Sequence, residues 1–127
     1  MKANIFIYAN KKSYIWRIIT ENYSKQVINY KSANERIRNE ILAAIQAVEM
    51  LEAKSDITLI SCRKSFKNLF NIYDKEIKNR KHIKENFELW NRLKYLVDQH
   101  LNYKYTRHIE KEEFESEMAK LHPQLQP

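Results

Sequence analysis

The sequence predicts an α/β domain with a mixed five-stranded sheet, in which three antiparallel strands precede two parallel strands and helices flank the sheet. The hydrophobic pattern alternates with a strand period near the N-terminus and changes to helical spacing after about residue 32. The three N-terminal strand segments have short connections, which are typical of an antiparallel meander. Helical and strand patterns then alternate, which favours parallel strands joined by helices.

The first strand is the apolar run at residues 5–9, which ends at Asn10, a residue suited to turns. The second is predicted at 14–20 and the third at 26–30, after a turn near Asn22. Alternation in the second strand places Tyr14, Trp16 and Ile18 on one face and Ile15, Arg17 and Ile19 on the other.

The first helix is predicted from the apolar residues that recur at helical spacing: Ile37, Ile41, Ala44, Ile45, Val48 and Leu51. Ser32 precedes Glu35 by three residues, which is the spacing of a capping box. The helix is therefore expected to begin at Ser32 or Ala33 and to extend to about Ala53.

The remaining segments are predicted, in order, as a strand at 57–61, helices at about 64–70 and 86–100, a strand at 103–107 and a helix at about 110–121. The helix at 86–100 is expected to turn five side chains inward: Phe87, Trp90, Leu93, Leu96 and Val97. The 127 residues form one predicted domain, with a core at about 4–121 and a tail at 122–127.

Composition excludes several classes of protein. Hydrophobic residues make up 43% of the chain, which excludes disorder throughout, and Cys62 is its only cysteine, which excludes an internal disulfide framework. The chain has no glycine, so it has neither a Walker loop nor a dinucleotide-binding fingerprint, and no cofactor is expected. No apolar run is long enough for a membrane helix, so a soluble cytoplasmic protein is expected.

Charge is unevenly distributed along the chain, whose formal net charge is +7. Residues 63–84 contain eight Lys and Arg against two acids, whereas residues 110–121 contain five Glu against two Lys. A basic region of this kind is either a surface that contacts phosphates or an ordinary solvated face in a lysine-rich composition. Both interpretations stay open at the level of sequence.

Several segments resemble the ribonuclease H type 1-like family. The first helix contains Arg38-Asn39-Glu40-Ile41-Leu42-Ala43-Ala44-Ile45, which is similar to the family's Arg-x-Glu-x-x-Ala signature. Leu89-Trp90-x-x-Leu93 resembles the Leu-Trp-x-x-Leu segment of a later helix, and residues 103–107 and 113–119 resemble the last strand and terminal helix. The similarity covers residues of about 4–121 and implies the ribonuclease H fold.

The family's chemistry implies four carboxylates that hold two divalent metal ions. By the resemblance, Glu40 retains one of them, and the other three positions are degenerate: Asn10, Cys62 and, in the terminal helix, Ser116 or a neighbouring Glu, depending on register. Lys11, Lys12 and Arg63 lie beside former ligand positions and would repel divalent cations. The resemblance therefore implies a degenerate, catalytically inactive member, that is, a pseudo-nuclease with no metal site.

Other chemistry is less favoured by the sequence. Cys62 with His100 or His108 could suggest a thiol nucleophile, but a lone cysteine at a strand end is more often a packing residue. Glu115 beside Ser116 could retain weak metal binding, although acidic helix faces are usually only solvated.

Three functions follow from these observations. The first is a nucleic-acid-binding or nucleoprotein-complex subunit that contacts an RNA/DNA hybrid or duplex through basic residues: Lys11, Lys12, Arg63, Lys64, Lys67, Lys75, Lys78, Arg80, Lys81 and Lys84. The alternative is a protein-interaction scaffold or homodimer, with candidate interface aromatics at Tyr14, Trp16, Tyr23, Tyr30 and Tyr73. The third is a residual metal-dependent nuclease.

Overall fold

A computed structural model of the chain describes residues 1–29, 35–61, 86–107 and 116. Its elements are β1 (Lys2–Ala9), β2 (Tyr14–Thr20), β3 (Ser24–Asn29), α1 (Arg36–Glu49), β4 (Asp56–Ser61), α2 (Phe87–Asp98) and β5 (Asn102–Arg107). The predicted helices at 64–70 and 110–121 lie outside the described residues, except for Ser116, which is helical and exposed.

The five strands form one sheet in the order β3-β2-β1-β4-β5. β1 pairs antiparallel with β2, and β2 pairs antiparallel with β3, whereas β4 is parallel to both β1 and β5. In this register Ile5 lies opposite Ile18 on β2 and Leu59 on β4. The predicted mixed sheet of three antiparallel strands followed by two parallel strands is confirmed.

The hydrophobic core lies between one face of the sheet and the two helices. α1 packs on β1 and β2, and α2 packs on α1 and β5. Trp16 on β2 is buried, and its indole Nε1 donates a hydrogen bond to Gln46 Oε1 on α1 at 3.3 Å. Five of the residues that were expected to face inward from the first helix are buried in this core: Ile37, Ile41, Ala44, Ile45 and Val48. The sixth, Leu51, is partly buried against the core.

Both predicted ends of the first helix are wrong. The helix begins at Arg36 because Glu35 is its N-cap, and the Glu35 carboxylate accepts hydrogen bonds from the main-chain N–H groups of Ile37 and Arg38 at 2.8 and 2.7 Å. It ends at Glu49 rather than near Ala53. Tight main-chain bonds close the last turn, with Met50 N donating to both Gln46 O and Ala47 O.

The prediction for the inward face of the second long helix is right except at Phe87. Trp90, Leu93 and Val97 are buried and Leu96 packs partly buried against the core, whereas Phe87 is 37% exposed. Phe87 lies about a quarter turn around the helix from the direction of the buried side chains, so it falls on the flank of the apolar face.

Within the described part of the chain, neither helix combines the length and hydropathy that crossing a membrane requires.

Two of the aromatic residues proposed as interface candidates belong to the core. Tyr14 and Trp16 are buried on the face of the sheet that packs against α1. Tyr23 is partly buried against the same core, and Tyr30 and Tyr73 lie outside the described residues. The side chains of Tyr14 and Trp16 therefore stabilise the domain and offer no surface to a partner.

Candidate functional site

The candidate site begins at the carboxyl end of β1, in the turn at residues 10–13, which is called the β1–β2 turn below. The Asn10 side-chain Oδ1 accepts hydrogen bonds from Lys12 N at 2.9 Å, Ser13 N at 2.9 Å and Ser13 Oγ at 3.1 Å. Asparagine favours such turns because its side chain can bond to the main chain two or three residues later. The amide oxygen of Asn10, the residue that the resemblance aligns with a ligand aspartate, is thus committed to the turn.

Lys11 and Lys12 form the tip of the β1–β2 turn, and both are exposed. The flanking residue Ser13 is buried. The turn therefore directs two cationic side chains to solvent at the end of the sheet where the family resemblance places the first metal-binding aspartate.

Asn39 on α1 joins the helix to this turn, and sequence reasoning missed it. Its side chain is fully buried, and its Nδ2 donates to Asn10 O at 2.9 Å and to Lys11 O at 3.2 Å. The available sequence indication was a short polar side chain between the two signature residues Arg38 and Glu40. Nothing local in the sequence identifies the carbonyl groups that it binds.

Glu40, the carboxylate that the resemblance retains, is also buried, with 1% of its surface exposed. It forms an ion pair with Arg36, whose Nη1 donates to Glu40 Oε1 from one turn earlier on α1. A buried carboxylate requires such a partner because leaving water is costly for an isolated charge. Arg36 thus supplies Glu40 with a counter-charge from the same helix.

Arg38, the first residue of the signature, connects the two helices. Its Nη1 donates to Asn86 Oδ1 at 3.0 Å and lies 2.9 Å from Glu88 Oε1. A main-chain hydrogen bond and the hydrogen bond from Arg38 lower the pKa of the Glu88 carboxyl. The Arg38 side chain thus holds the start of α2 against α1.

The structure unites only part of the predicted site. Asn39 places Asn10, Lys11 and Lys12 against the helix that carries Glu40. Ser116 is helical and exposed, and the residues on either side of it in the sequence are not among those that the structure describes. The other predicted positions lie outside the described residues: Cys62, Arg63, Lys64, Lys67, Lys75, Lys78, Arg80, Lys81 and Lys84.

The described residues do not fit the two-metal centre on which the chemistry of the ribonuclease H family depends. Asn10 is neutral and its oxygen accepts three hydrogen bonds within the turn, while Glu40 pairs with Arg36. Over residues 1–29, 35–61, 86–107 and 116, no group of three or more His, Cys, Asp or Glu side chains could hold a metal ion. Mg²⁺ prefers several hard oxygen ligands, and this part of the chain does not supply them.

The sheet order and the packing of both helices on one of its faces define a ribonuclease H-like fold. Among solved structures, the chain is similar to the crystal structure of RNase H1 from the halophilic archaeon Halobacterium salinarum NRC-1. The TM-score is 0.66 at 11% sequence identity, and the match covers 85% of this chain and 86% of the archaeal one. At that identity the likeness shows the fold alone.

No protein-family model matches the chain, and no curated protein is significantly similar to it.

Proposed function

We propose that this chain is a degenerate, catalytically inactive ribonuclease H-like protein that binds nucleic acid as a subunit of a nucleoprotein complex. The observation that carries the proposal is the β1–β2 turn, where a neutral Asn10 and two exposed lysines stand at the position that the resemblance assigns to a metal-binding aspartate. Fixed ammonium groups at this position would attract phosphates without any metal ion.

The surroundings of Glu40 support the loss of cleavage. Its carboxylate is buried and pairs with Arg36, so one oxygen already has a cationic partner. A divalent ion would have to compete with that guanidinium. It would also be repelled by Lys11 and Lys12, whose turn is hydrogen-bonded to Asn39, the residue before Glu40. We therefore assign no hydrolytic step to this site.

The basic segment of the sequence at residues 63–84 is the second part of the proposal. Its eight Lys and Arg residues against two acids supply the charge density that phosphate contacts require. RNA/DNA hybrid or duplex is the proposed ligand class, because a ribonuclease H-like fold with a positive surface is suited to a phosphate backbone.

The decisive experiment is fluorescence anisotropy with a labelled RNA/DNA hybrid in Mg²⁺ over a salt series, followed by a gel that checks the integrity of the probe. We expect salt-sensitive binding and an intact probe, with weaker binding after charge reversal at Lys78, Arg80 and Lys81. Each lost phosphate contact should make the plot of the logarithm of the association constant against the logarithm of the salt concentration shallower, by about 0.7–0.9 in slope.

Two results would overturn the proposal. Cleavage of the probe that disappears in Glu40→Gln would identify a residual metal-dependent nuclease. Absence of binding, or an affinity that charge reversal leaves unchanged, would favour the protein-interaction scaffold.

A further inference from the structure

We propose that Asn39 is a positioning residue, which holds the β1–β2 turn in the shape that presents Lys11 and Lys12 to a phosphate backbone. This inference rests on the proposed function and adds to it the residue that sets the geometry of the contact. It assigns to α1 a role in ligand binding that does not require any metal ligand.

The first support is the way Asn39 uses its side chain. The amide nitrogen donates to two successive main-chain carbonyls of the turn, Asn10 O at 2.9 Å and Lys11 O at 3.2 Å. An amide NH₂ has two donor hydrogens, which are enough for both of these hydrogen bonds. Two hydrogen bonds therefore connect the main chain at Asn10 and Lys11 to α1.

The second support is the burial of Asn39. Its side chain is fully buried on a helix whose neighbouring core positions, Ala43 and Ala47, are apolar. Burying an amide costs free energy unless its hydrogen bonds are made, whereas an apolar side chain there would carry no such cost. A strand connection by itself does not need this buried polar contact, so the conformation of the turn is what Asn39 secures.

The third support is that the turn is also restrained from within. Asn10 Oδ1 accepts from Lys12 N and from both Ser13 N and Ser13 Oγ, and Asn10 N donates to Ser13 O at 3.0 Å. The two ends of the turn are thus tied together, while the two lysines between them are exposed.

Such restraint affects binding because a lysine side chain is long and flexible. Each side chain or loop that becomes ordered on binding lowers the affinity, so a main chain that is already ordered retains more of the electrostatic attraction. Two adjacent ammonium groups on a fixed turn can therefore contact the backbone at a smaller entropic cost than the same pair on a mobile loop.

The test is a double-mutant cycle with the labelled RNA/DNA hybrid, comparing Asn39→Ala, Lys11→Gln/Lys12→Gln and the triple variant. We expect Asn39→Ala to raise Kd about fivefold when both lysines are present, and to leave Kd unchanged when they are absent, because the residues act as one unit. Lys11→Gln/Lys12→Gln should also reduce the salt slope by about 1.4–1.8, corresponding to two phosphate contacts.

A matched control is Lys2→Gln/Lys104→Gln, which removes the same charge from another part of the sheet. Lys2 and Lys104 lie towards the amino ends of β1 and β5, whereas the β1–β2 turn follows the carboxyl end of β1. We expect this control to weaken binding less than Lys11→Gln/Lys12→Gln. Thermal unfolding monitors each variant. If Asn39→Ala fails to fold, Asn10→Ala replaces it in the cycle, because Asn10→Ala loosens the same turn from the exposed side.

The outcomes separate the two proposals. If the wild-type protein binds with a steep salt dependence but is insensitive to Lys11→Gln/Lys12→Gln, the inference is wrong, and nucleic-acid binding is then assigned to the basic segment at residues 63–84 instead of the turn. The inference is also wrong if the cost of Asn39→Ala is the same with and without the lysines. If the wild-type protein does not bind the hybrid, both are wrong.

Discussion

The guanidinium of Arg38 on α1 donates a hydrogen bond to Asn86 Oδ1 at the start of α2, at 3.0 Å and across 48 positions of sequence. The same Nη1 lies 2.9 Å from Glu88 Oε1 in the first turn of α2. Asn86 is the N-cap residue of α2 and is itself buried. The signature arginine of the family resemblance is thus an architectural residue in this chain, because it secures one helix to the other.

Replacing Arg38 tests this connection. We expect Arg38→Met to reduce the free energy of unfolding by about 1 kcal/mol, because it removes a charged hydrogen bond that is only partly shielded from water. The measurement is urea denaturation followed by circular dichroism. A matched control is Arg92→Met, whose ion pair with Glu49 is exposed on both sides and should change stability by less than about 0.5 kcal/mol. Equal effects of the two variants would contradict the assignment.

The Arg36–Glu40 ion pair predicts a coupled response. Arg36→Met removes the cation beside a buried carboxylate, and we expect a loss of about 2 kcal/mol in unfolding free energy. In a Glu40→Gln background the same substitution should cost less than about 0.5 kcal/mol, because the buried charge is gone. Urea denaturation of the four proteins gives the coupling energy. An equal cost in both backgrounds would show that the pair does not stabilise the fold.

His100 predicts a pH dependence of stability. Ser55 N donates to His100 Nδ1 at 3.1 Å, which requires an imidazole that is unprotonated at that nitrogen. Burial, and secondarily the charge of Lys54, lowers the pKa of His100 from its ordinary value of 6.5. The unfolded chain therefore takes up a proton on His100 at a higher pH than the folded chain does. Neutral His100 stabilises the folded state above the unfolded pKa, and this stabilisation is lost as the pH falls through the folded pKa.

The measurement is the unfolding free energy of the wild-type protein and His100→Gln between about pH 5 and 7. We expect the wild-type value to fall more steeply on acidification than that of the variant. Parallel curves would mean that His100 titrates alike in the folded and unfolded states. Above the unfolded pKa, the remaining difference between the two proteins reports the neutral hydrogen bond to Ser55.

The two faces of α2 predict unequal effects of truncation. Leu93 is buried in the core, so Leu93→Ala should cost about 3 kcal/mol in unfolding free energy through lost burial and a residual cavity. Phe87→Ala should cost less than about 1.5 kcal/mol, although it removes a larger side chain, because Phe87 is partly exposed at the edge of the apolar face. Chemical denaturation ranks the two, and a larger cost for Phe87→Ala would contradict the placement of α2.

Local patterns were sufficient to predict most of the described elements. The second strand is predicted at 14–20 and is observed as Tyr14–Thr20, because strand-forming side chains and flanking turn residues act over a few positions. The predicted start of the first helix at Ser32 or Ala33 is wrong, because the side chains of Ser32 and Glu35 can both cap a helix and the choice between them depends on where the chain enters the helix. The flank position of Phe87 depends in the same way on how α2 is rotated against its neighbours.

In the candidate site, too, some features follow from local sequence and others depend on how the elements pack. Residue types alone determined that Asn10 would favour a turn and that two lysines would follow it. Only the tertiary structure decided that Asn39 binds the carbonyls of this turn, that Trp16 bonds Gln46, and that Arg38 reaches Asn86. Such contacts join residues about 30 or more positions apart, and their formation depends on the packing of α1 against the sheet and against α2, to which the whole core contributes. Local preference acts within a few residues, so it cannot specify these partners.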